Sequence, residues 1–234
     1  MLRHTHQHSQ PKAALAKESG GCLWFASISF GMALPPLAVI VLGLLMTLVL
    51  LQIDISVISP HGNSLAPGYT NEIAPLFTPE VQRWGDEIVT WSALYGLDPN
   101  LVATVMQIES CGDPRARSYA GAMGLFQVMP FHFDADEDPY KPATNASRGL
   151  AYLKSALDSR GGNVRLALAG YNGGIMGAKR PESVWPAEML RYVYWGTGIY
   201  TDAKQGQSES GRLNEWLGKG GASLCAQAAG RFGY

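Results

Sequence analysis

The longest uninterrupted apolar stretch of the chain lies close to its N-terminus. No charged residue occurs between Glu18 and Asp54, and residues 37–53 are almost entirely aliphatic. A membrane-spanning helix needs about 17–25 such residues, so we predict a transmembrane helix over residues 32–53. The alternatives are a core helix of a soluble domain and a cleaved signal peptide. A signal peptide is disfavoured because its apolar region is only about 7–15 residues long and ends in a small-x-small cleavage site.

The basic residues around this stretch predict its orientation. Three of them precede it, and the first one that follows it lies far along the chain, at Arg83. Because cytoplasmic flanks carry the excess of Lys and Arg, residues 1–31 are predicted to form a cytoplasmic tail. The chain would then cross the cell membrane once, with everything after about Asp54 outside the cytoplasm. Residues 54–77, rich in Pro, Gly, Asn and Ser, are predicted to be a linker.

Amphipathic helices replace this pattern from Thr78 onward. Thr78-Pro79-Glu80 has the composition of a helix start, and Gly96 that of a helix end. Asp98-Pro99 then predicts the start of a second helix, which continues to Glu109. Apolar residues recur along the first helix at steps of three and four, namely Val81, Trp84, Ile88, Trp91 and Leu94 or Tyr95.

Helix signals continue over most of the remaining chain. A third helix is predicted to stop at Gly161-Gly162, and Asn163 can cap a short helix over residues 164–169. Pro186 can open a last helix that ends near Trp195. The apolar stripe of the third helix consists of Leu150, Leu153 and Leu157.

The same patterns predict the domain organisation. No convincing run of alternating apolar and polar residues suggests a strand, so the fold class is mainly α. Residues 78–203 are predicted to form one helical domain, long enough to bury its own core. Residues 204–234 are rich in Gly, Ser and Gln and are predicted to be a weakly ordered extension, with at most one docked helical turn.

Charge and composition exclude some classes of function. The 234-residue chain has a formal net charge of −1, which argues against binding to nucleic acid or to an acidic membrane surface. The sequence gives no reason to expect a cofactor or a metal ion, and it names no protein partner.

Glu109 is the first candidate for chemistry. It lies at the end of its predicted helix, four residues after Val105, and therefore on the apolar face. The C-terminal end of a helix carries partial negative charge, and burial disfavours the ionised form of a carboxyl group. Both effects raise the pKa of Glu109 toward the value of about 6–7 that suits a general acid.

Polar side chains follow Glu109 in an otherwise apolar segment. Gln127 stands among apolar residues, and a buried amide without a hydrogen bond costs about 1–3 kcal/mol. Its expected partners are the backbone of a loop or a bound ligand. Tyr171-Asn172-Gly173-Gly174 supplies a second polar cluster at the end of a short helix.

These residues share their spacing with one family. The run Glu-Ser-x(7)-Ser-x-x-Gly-Ala-Met-Gly-Leu-x-Gln-x-Met-Pro begins at Glu109 and ends at Pro130. It is followed by Tyr171-Asn172-Gly-Gly and by Glu188-Met-Leu-Arg-Tyr192-Val. The pattern, over about Pro79 to Tyr200, resembles the SLT-type lytic transglycosylases, which cleave peptidoglycan and have a goose-lysozyme-like helical fold.

The resemblance implies a mechanism with one catalytic carboxylate. Glu109 would protonate the glycosidic oxygen between N-acetylmuramic acid and N-acetylglucosamine in a peptidoglycan glycan strand. It would then act as a base on the C6 hydroxyl of muramic acid, which closes a 1,6-anhydro ring. The resemblance also implies six residues that bind the glycan or position Glu109: Ser110, Ser118, Gln127, Tyr171, Asn172 and Tyr192.

Two alternatives to this activity stay open. A lysozyme-like muramidase would need a second carboxylate, at about 5–5.5 Å for retention or about 6.5–9.5 Å for inversion. Asp113 belongs to an Asp-Pro turn, and the acidic residues 134–138 are expected to face solvent, so neither is a strong candidate. The other alternative is a peptidoglycan-binding protein without turnover.

Three further residues allow more than one interpretation. Cys111 and Cys225 can form a disulfide outside the cytoplasm, or they can be two free thiols. Asn145-Ala-Ser147 fits a glycosylation sequon, but it coincides with a predicted helix start, so we expect Asn145 to cap that helix.

Overall fold

The computed structural model describes residues 72–233. The predicted cytoplasmic tail, the predicted transmembrane helix and most of the predicted linker fall in residues 1–71, outside the described part of the chain. Among the described residues, no helix combines the length and the apolarity needed to cross a bilayer.

The described residues form a helical domain. Its eight α-helices are α1 (Pro79–Gln82), α2 (Gly85–Tyr95), α3 (Pro99–Glu109), α4 (Pro142–Asp158), α5 (Val164–Gly173), α6 (Ala187–Lys204), α7 (Gly211–Trp216) and α8 (Ala222–Phe232). Short 3-10 turns lie at Pro130–His132, Gly177–Lys179 and Glu182–Val184, and a π-helical segment, Leu217–Gly221, joins α7 to α8. Between residues 72 and 233 only isolated β-bridges occur, so the prediction of a mainly α fold is confirmed.

Local signals placed several helix ends correctly. The side chain of Asp98 accepts a hydrogen bond from the backbone N–H of Asn100 at the start of α3. Asn163 does the same for Leu166 at the start of α5. Gly96 ends α2 with a φ of +61°, a conformation in which glycine is favoured because it has no Cβ.

Three predicted helices have different lengths in the structure, and one of them, predicted over residues 164–169, reaches Gly173. The first one is broken, because Trp84 leaves the helical conformation and donates its indole N–H to the Gly112 carbonyl at 2.9 Å. The last one does not stop at Trp195 and reaches Lys204. It continues because Gly196 permits close packing on Leu168 and because Ile199 adds a fully buried residue beyond it.

Helix α3 lies at the centre of the core. Residues 101–107 are all buried, although the pattern predicted burial on one face only. Helices α2 and α6 pack against α3, and α5 packs between α4 and α6. The C-terminal end of α3, and with it Glu109, is therefore held by elements from distant parts of the chain.

The C-terminal segment is ordered, so the prediction of a weakly ordered extension is wrong. Its apolar residues join the same core as α3, namely Leu213, Trp216, Cys225 and Ala228. The glycines that suggested disorder are concentrated near the junction of α7 and α8, where Lys219 and Gly220 have non-helical backbone angles. A disulfide between Cys111 and Cys225, with the Cα atoms 5.0 Å apart, attaches α8 to the residues that follow α3.

Candidate active site

Glu109 is half-buried at the last position of α3. Tyr192 of α6 donates its phenolic hydroxyl to Glu109 Oε1 at 2.8 Å. Burial of the carboxyl group is the main cause that raises the pKa of Glu109 to about 8. The hydrogen bond from Tyr192 opposes this shift, and the nearby charge of Glu188 adds to it. The predicted direction of the shift agrees with the structure, and burial is its dominant cause.

A cavity of about 300 Å³ opens in front of Glu109. Glu188, four residues before Tyr192 on α6, shares it. Glu188 is part of the sequence motif, but it was not among the predicted candidates for a second carboxylate. The signal was available, because residues four apart on a helix lie on the same face. The full lining consists of Ile108, Glu109, Asn172, Glu188, Arg191, Tyr192 and Trp195.

Ser110 does not face this cavity. It is fully buried, and its hydroxyl donates to the Leu125 carbonyl at 2.7 Å while accepting from the Gly112 N–H at 3.1 Å. A hydroxyl enclosed in this way holds the loop against α3 and is not accessible to a ligand. Ser110, predicted to bind the glycan or to position Glu109, is thus bonded to the backbone of the loop.

Gln107 also stabilises the turn after Glu109, a role that the sequence pattern did not predict. Its fully buried side-chain oxygen accepts hydrogen bonds from the backbone N–H and the hydroxyl of Thr78, at 3.1 and 3.2 Å. Its side-chain nitrogen donates to the Cys111 sulfur at 3.1 Å. The disulfide and Gln107 together tie the turn after Glu109 to both ends of the described chain.

Ser118 and Gln127 stabilise the loop after α3 by bonding to its own backbone. The Ser118 hydroxyl accepts from the Ala122 N–H at 2.9 Å. Gln127 adopts a φ of +45° and donates from its side-chain nitrogen to the carbonyls of Ala116 and Gly124, at 3.2 and 3.0 Å. None of the described residues supplies a donor to Gln127 Oε1, and this half-buried side chain lines a second cavity.

Asn145 connects the loop to α4, and its predicted role as a helix cap is wrong. Helix α4 already begins at Pro142, and the Asn145 side chain is fully buried. Its oxygen accepts from the Phe126 N–H at 2.8 Å, and its nitrogen donates to the carbonyls of Met123 and Pro139 at 2.8 and 2.9 Å. One amide therefore fixes two loop segments beside the site.

The packing around Asn145 explains a glycine of the motif. Gly124 has a φ of +74°, and a Cβ there would lie 2.4 Å from Asn145 Nδ2. Any other residue would strain the backbone and displace the amide. Gly149 on α4 allows Phe126 of the loop to pack closely against that helix, because a Cβ at Gly149 would lie 2.6 Å from the Phe126 Cβ.

Tyr171 and Asn172 lie at the end of α5, where both line the second cavity. The Tyr171 hydroxyl donates to the Phe126 carbonyl at 2.7 Å. Asn172 lines both the cavity at Glu109 and the second cavity, of about 190 Å³, so the two adjoin. The second cavity is lined by Gln127, Val128, Met129, Phe131, His132, Gly149, Tyr152, Tyr171, Asn172 and Gly174.

Asp113 and the acidic residues of the segment 134–138 line neither of these two cavities. Asp134 and Glu137 both pair with Arg148, the latter at 2.8 Å, and Asp134 is exposed as expected. The hydrogen bond from Arg148 lowers the pKa of Glu137. Asp113 is buried in its turn, where it accepts from the Arg115 N–H at 2.8 Å. Glu188 is thus the carboxylate that shares the cavity of Glu109.

One group of described side chains brings together atoms of the kind that bind metal ions. Glu80, Cys111 and Cys225 place possible ligand atoms within 4.8 Å of one another. Both sulfurs belong to the disulfide, however, and a metal ligand must be a thiolate. This group does not suit a metal ion.

Known proteins share the sequence that builds this site. A family model described as "Transglycosylase SLT domain" matches residues 87–184. A protein named "Transglycosylase" from Enterobacteria phage PRD1 is 46% identical over 112 residues, which cover 47% of this chain and 40% of that protein. The "Endo-type membrane-bound lytic murein transglycosylase A" of Klebsiella pneumoniae is 30% identical over 152 residues, covering 56% of this chain and 66% of that protein.

A solved structure is also similar. It is an inactive mutant of the lytic transglycosylase Slt from Pseudomonas aeruginosa, 22% identical, with a TM-score of 0.38 over 56% of this chain and 23% of that chain. The chain thus spans only part of the length of the proteins that it matches. The residues matched by the family model include Glu109, the loop to Pro130, and Tyr171-Asn172. Residues 87–184 of this chain therefore belong to the transglycosylase SLT domain family.

Proposed function

We propose that the chain is a peptidoglycan lytic transglycosylase. It would cleave the β-1,4 bond between N-acetylmuramic acid and N-acetylglucosamine and leave a 1,6-anhydro ring on the muramic acid. One observation supports this most directly: the SLT domain holds Glu109 in a cavity, with a pKa raised to about 8 and a hydrogen bond from Tyr192.

The raised pKa suits the first step. With a pKa of about 8, the Glu109 carboxyl group is protonated at neutral pH and can donate its proton to the glycosidic oxygen. The bond from muramic acid C1 to that oxygen breaks, and the N-acetylglucosamine unit leaves as an alcohol. Glu109 is now a carboxylate, and the Tyr192 hydroxyl that donates to Oε1 stabilises its charge.

The second step returns the proton. The Glu109 carboxylate removes the proton of the C6 hydroxyl of muramic acid, and the C6 oxygen forms a bond to C1. No water is consumed, and Glu109 ends the cycle protonated. A carboxyl group whose pKa lies near the working pH serves well in both directions.

We assign the remaining residues by what they face. Gln127 and Asn172 line the cavities, and their side-chain amides would bind hydroxyl or acetamido groups of the glycan. Tyr171 would contact a sugar ring. Ser110 and Ser118, which are bonded to loop backbone, would position the loop and not touch the substrate.

Glu188 favours a second candidate, a muramidase that hydrolyses the same bond. It lines the cavity with Glu109, as the second carboxylate of a hydrolase must. The two candidates differ in their products. A hydrolase releases reducing muramic acid, whereas a lytic transglycosylase releases 1,6-anhydromuramic acid.

Mass analysis of products from purified sacculi tests both candidates with the full-length chain and two variants. The proposal expects anhydromuropeptides from the unmodified chain and from Glu188→Gln, and none from Glu109→Gln. Products ending in reducing muramic acid, lost in Glu188→Gln, would establish the muramidase. Binding to sacculi without products from any of the three chains would indicate a non-catalytic binding protein.

We also propose that residues 32–53 anchor this enzyme in the cell membrane, with the N-terminus in the cytoplasm and the helical domain that contains Glu109 outside it. The support is the apolar run with its preceding basic residues, together with the Klebsiella relative, which is named as a membrane-bound enzyme. A C-terminal tag should be digested by protease added to intact spheroplasts. A tag protected from that protease would refute the orientation.

A further inference from the structure

Cys111 has a backbone conformation that its residue type disfavours. It lies two positions after Glu109, in the turn that leaves α3, and its φ is +50°. Glycine adopts a positive φ readily, whereas the Cβ of any other residue then comes too close to the neighbouring backbone. Contacts outside the local sequence must therefore hold Cys111 in this conformation.

The side chain of Cys111 is enclosed by partners from distant parts of the chain. It is fully buried, and its sulfur is bonded to that of Cys225. Gln107 donates to the Cys111 sulfur at 3.1 Å, and the Thr78 hydroxyl lies 3.3 Å from it. The disulfide is the strongest of these restraints because it is covalent.

The neighbours of Cys111 connect its conformation to Glu109. Ser110 lies between the two, and its hydroxyl accepts from the Gly112 N–H at 3.1 Å across the turn. Gly112 packs so closely on α1 that a Cβ there would lie 2.6 Å from the Glu80 carbonyl oxygen. A change of φ at Cys111 therefore displaces Ser110, and with it the end of α3 that carries the catalytic carboxyl group.

Helix α8, which carries the other sulfur, has little else to attach it to the domain. Its buried residues are Cys225 and Ala228. Phe232 at its end makes an aromatic contact, and Arg231, 55% exposed, pairs with Asp113 at 3.6 Å. A small apolar area and a part-exposed ion pair each contribute little stability. The disulfide is therefore the main attachment between α8 and the turn after Glu109.

We propose that Cys111 is a positioning residue for Glu109, and that its disulfide with Cys225 switches the enzyme on. With the disulfide formed, residue 111 stays at a positive φ and Glu109 stays in its cavity. With both thiols free, α8 loses its covalent attachment, residue 111 relaxes to a negative φ, and Glu109 leaves the geometry that catalysis requires. This inference rests on the proposed function and adds a condition under which the site is active.

The step that switches the enzyme on is a two-electron oxidation. The thiols of Cys111 and Cys225 lose two protons and two electrons as the sulfur–sulfur bond forms. A disulfide oxidant, which is oxidised glutathione in the test below, accepts both and is reduced to two thiols. Disulfides form and persist in oxidising compartments, whereas the cytoplasm keeps thiols reduced. The chain therefore gains full activity only where such an oxidant is present.

Digestion of purified sacculi by the full-length chain in three states tests the switch. The states are oxidised, reduced with dithiothreitol, and reoxidised with oxidised glutathione, and mass spectrometry counts the free thiols in each. Reduction should lower kcat about 10- to 100-fold, because a catalytic group displaced by about 1 Å loses that much rate. KM should change little, and reoxidation should restore kcat. Cys22→Ser, which removes the cysteine outside the described residues, should respond in the same way.

Substitutions at position 111 separate its positioning role from the attachment of α8. Cys111→Gly and Cys111→Ala, each combined with Cys225→Ser, both lack the disulfide. Glycine adopts the positive φ without a steric cost, so its kcat should exceed that of the alanine variant at least about tenfold. Neither variant should respond to dithiothreitol. Far-UV circular dichroism at the assay temperature should show the same helix content in both variants and in the reduced chain.

The outcomes separate the inference from the proposed function. Full kcat in the reduced chain would overturn the switch while leaving the lytic activity in place. Equal kcat in the glycine and alanine variants would overturn the positioning role of Cys111. A reduced chain that loses its helical signal together with its activity would also overturn it, because unfolding would then explain the loss. If the oxidised chain releases no product from sacculi, the proposed function has failed and the inference with it.

Discussion

Tyr192 donates a hydrogen bond of 2.8 Å to Glu109 Oε1 across 83 positions of sequence. Helix α6 delivers the hydroxyl to the C-terminal end of α3. The bond favours the ionised carboxyl group, whereas burial favours the protonated one. The hydrogen bond from Tyr192 therefore keeps the pKa of Glu109 below the value that burial alone would give it.

Removing this hydroxyl should weaken catalysis and shift its pH dependence. A hydrogen bond to a charged group contributes about 1.5–3 kcal/mol, so Tyr192→Phe should lower kcat/KM about 10- to 100-fold. The pKa of Glu109 should rise further, because the group that opposes the effect of burial is gone. In a pH profile of kcat/KM, the loss of activity on the alkaline side should therefore move to higher pH.

Tyr194→Phe is the matched control for this experiment. Tyr194 lies two residues further along α6, and its hydroxyl donates to Glu215 at 3.0 Å on the surface. Its loss should change neither the rate nor the profile. An equal effect of the two substitutions, or a shift of the alkaline limb to lower pH in Tyr192→Phe, would contradict the assigned role.

Glu109 should also make the stability of the fold depend on pH. Its pKa is about 8 in the folded protein against a value of 4.5 for the exposed side chain, so the folded state binds more protons between these values. Stability then falls as pH rises through this window, by up to about 1.4 kcal/mol for each pKa unit. Glu109→Gln removes the ionisable group and should abolish that fall.

Thermal unfolding from pH 4 to pH 9 measures this effect. The melting temperatures of Glu109→Gln and the unmodified chain should be similar at pH 4, and the variant should be increasingly the more stable one up to about pH 8. Glu87→Gln, at an exposed position on α2, should show no such growing gain. A gain for Glu109→Gln that is largest at pH 4 would show that burial does not raise this pKa.

The features that the sequence predicted correctly are those that neighbouring residues decide. Asp98 and Asn163 cap their own helices, and Gly96 ends α2, because each acts within one turn. The helical spacing likewise placed Glu109 at the end of its helix. Helix α6 exceeded its predicted length because its continuation depends on packing against Leu168, which no local pattern reports.

The features that were missed depend on distant partners. Asn145 was expected to cap a helix, but its amide finds its partners in a loop about 20 residues earlier. The C-terminal helices were not predicted because their order depends on burying Leu213, Trp216 and Ala228 in the core of the preceding domain. The spacing of Glu188 and Tyr192 puts both on one face of α6, but the proximity of that face to Glu109 follows from the packing of α6 on α3.

Asn145→Ala should be among the most destabilising single changes at the site. It leaves the Phe126 N–H and the carbonyls of Met123 and Pro139 without this partner. Each buried polar group that loses its partner costs about 1–3 kcal/mol, so we expect a loss of about 3 kcal/mol or more in the free energy of unfolding. Urea titration followed by circular dichroism measures it.

Asn163→Ala provides the scale for that measurement. This substitution is also Asn→Ala, but it removes an exposed helix cap, and the loss of such a cap lowers the free energy of unfolding by about 1 kcal/mol. A smaller loss in Asn145→Ala than in Asn163→Ala would mean that the three hydrogen bonds do not hold the loop.

Loss of the disulfide should loosen the turn after Glu109. The bond joins Cys111 to Cys225 across 114 positions, and cross-links of loops this long stabilise a fold by about 2–5 kcal/mol. Cys225→Ser should lower the melting temperature, and reductant should lower that of the unmodified chain by a similar amount while leaving the variant unchanged. Cys22→Ser, which removes the cysteine outside the described residues, should keep both the stability and the response to reductant. Mass spectrometry with and without reductant verifies the disulfide in each sample. If reductant leaves the melting temperature of the unmodified chain unchanged, the disulfide does not stabilise the attachment of α8 to the turn after Glu109.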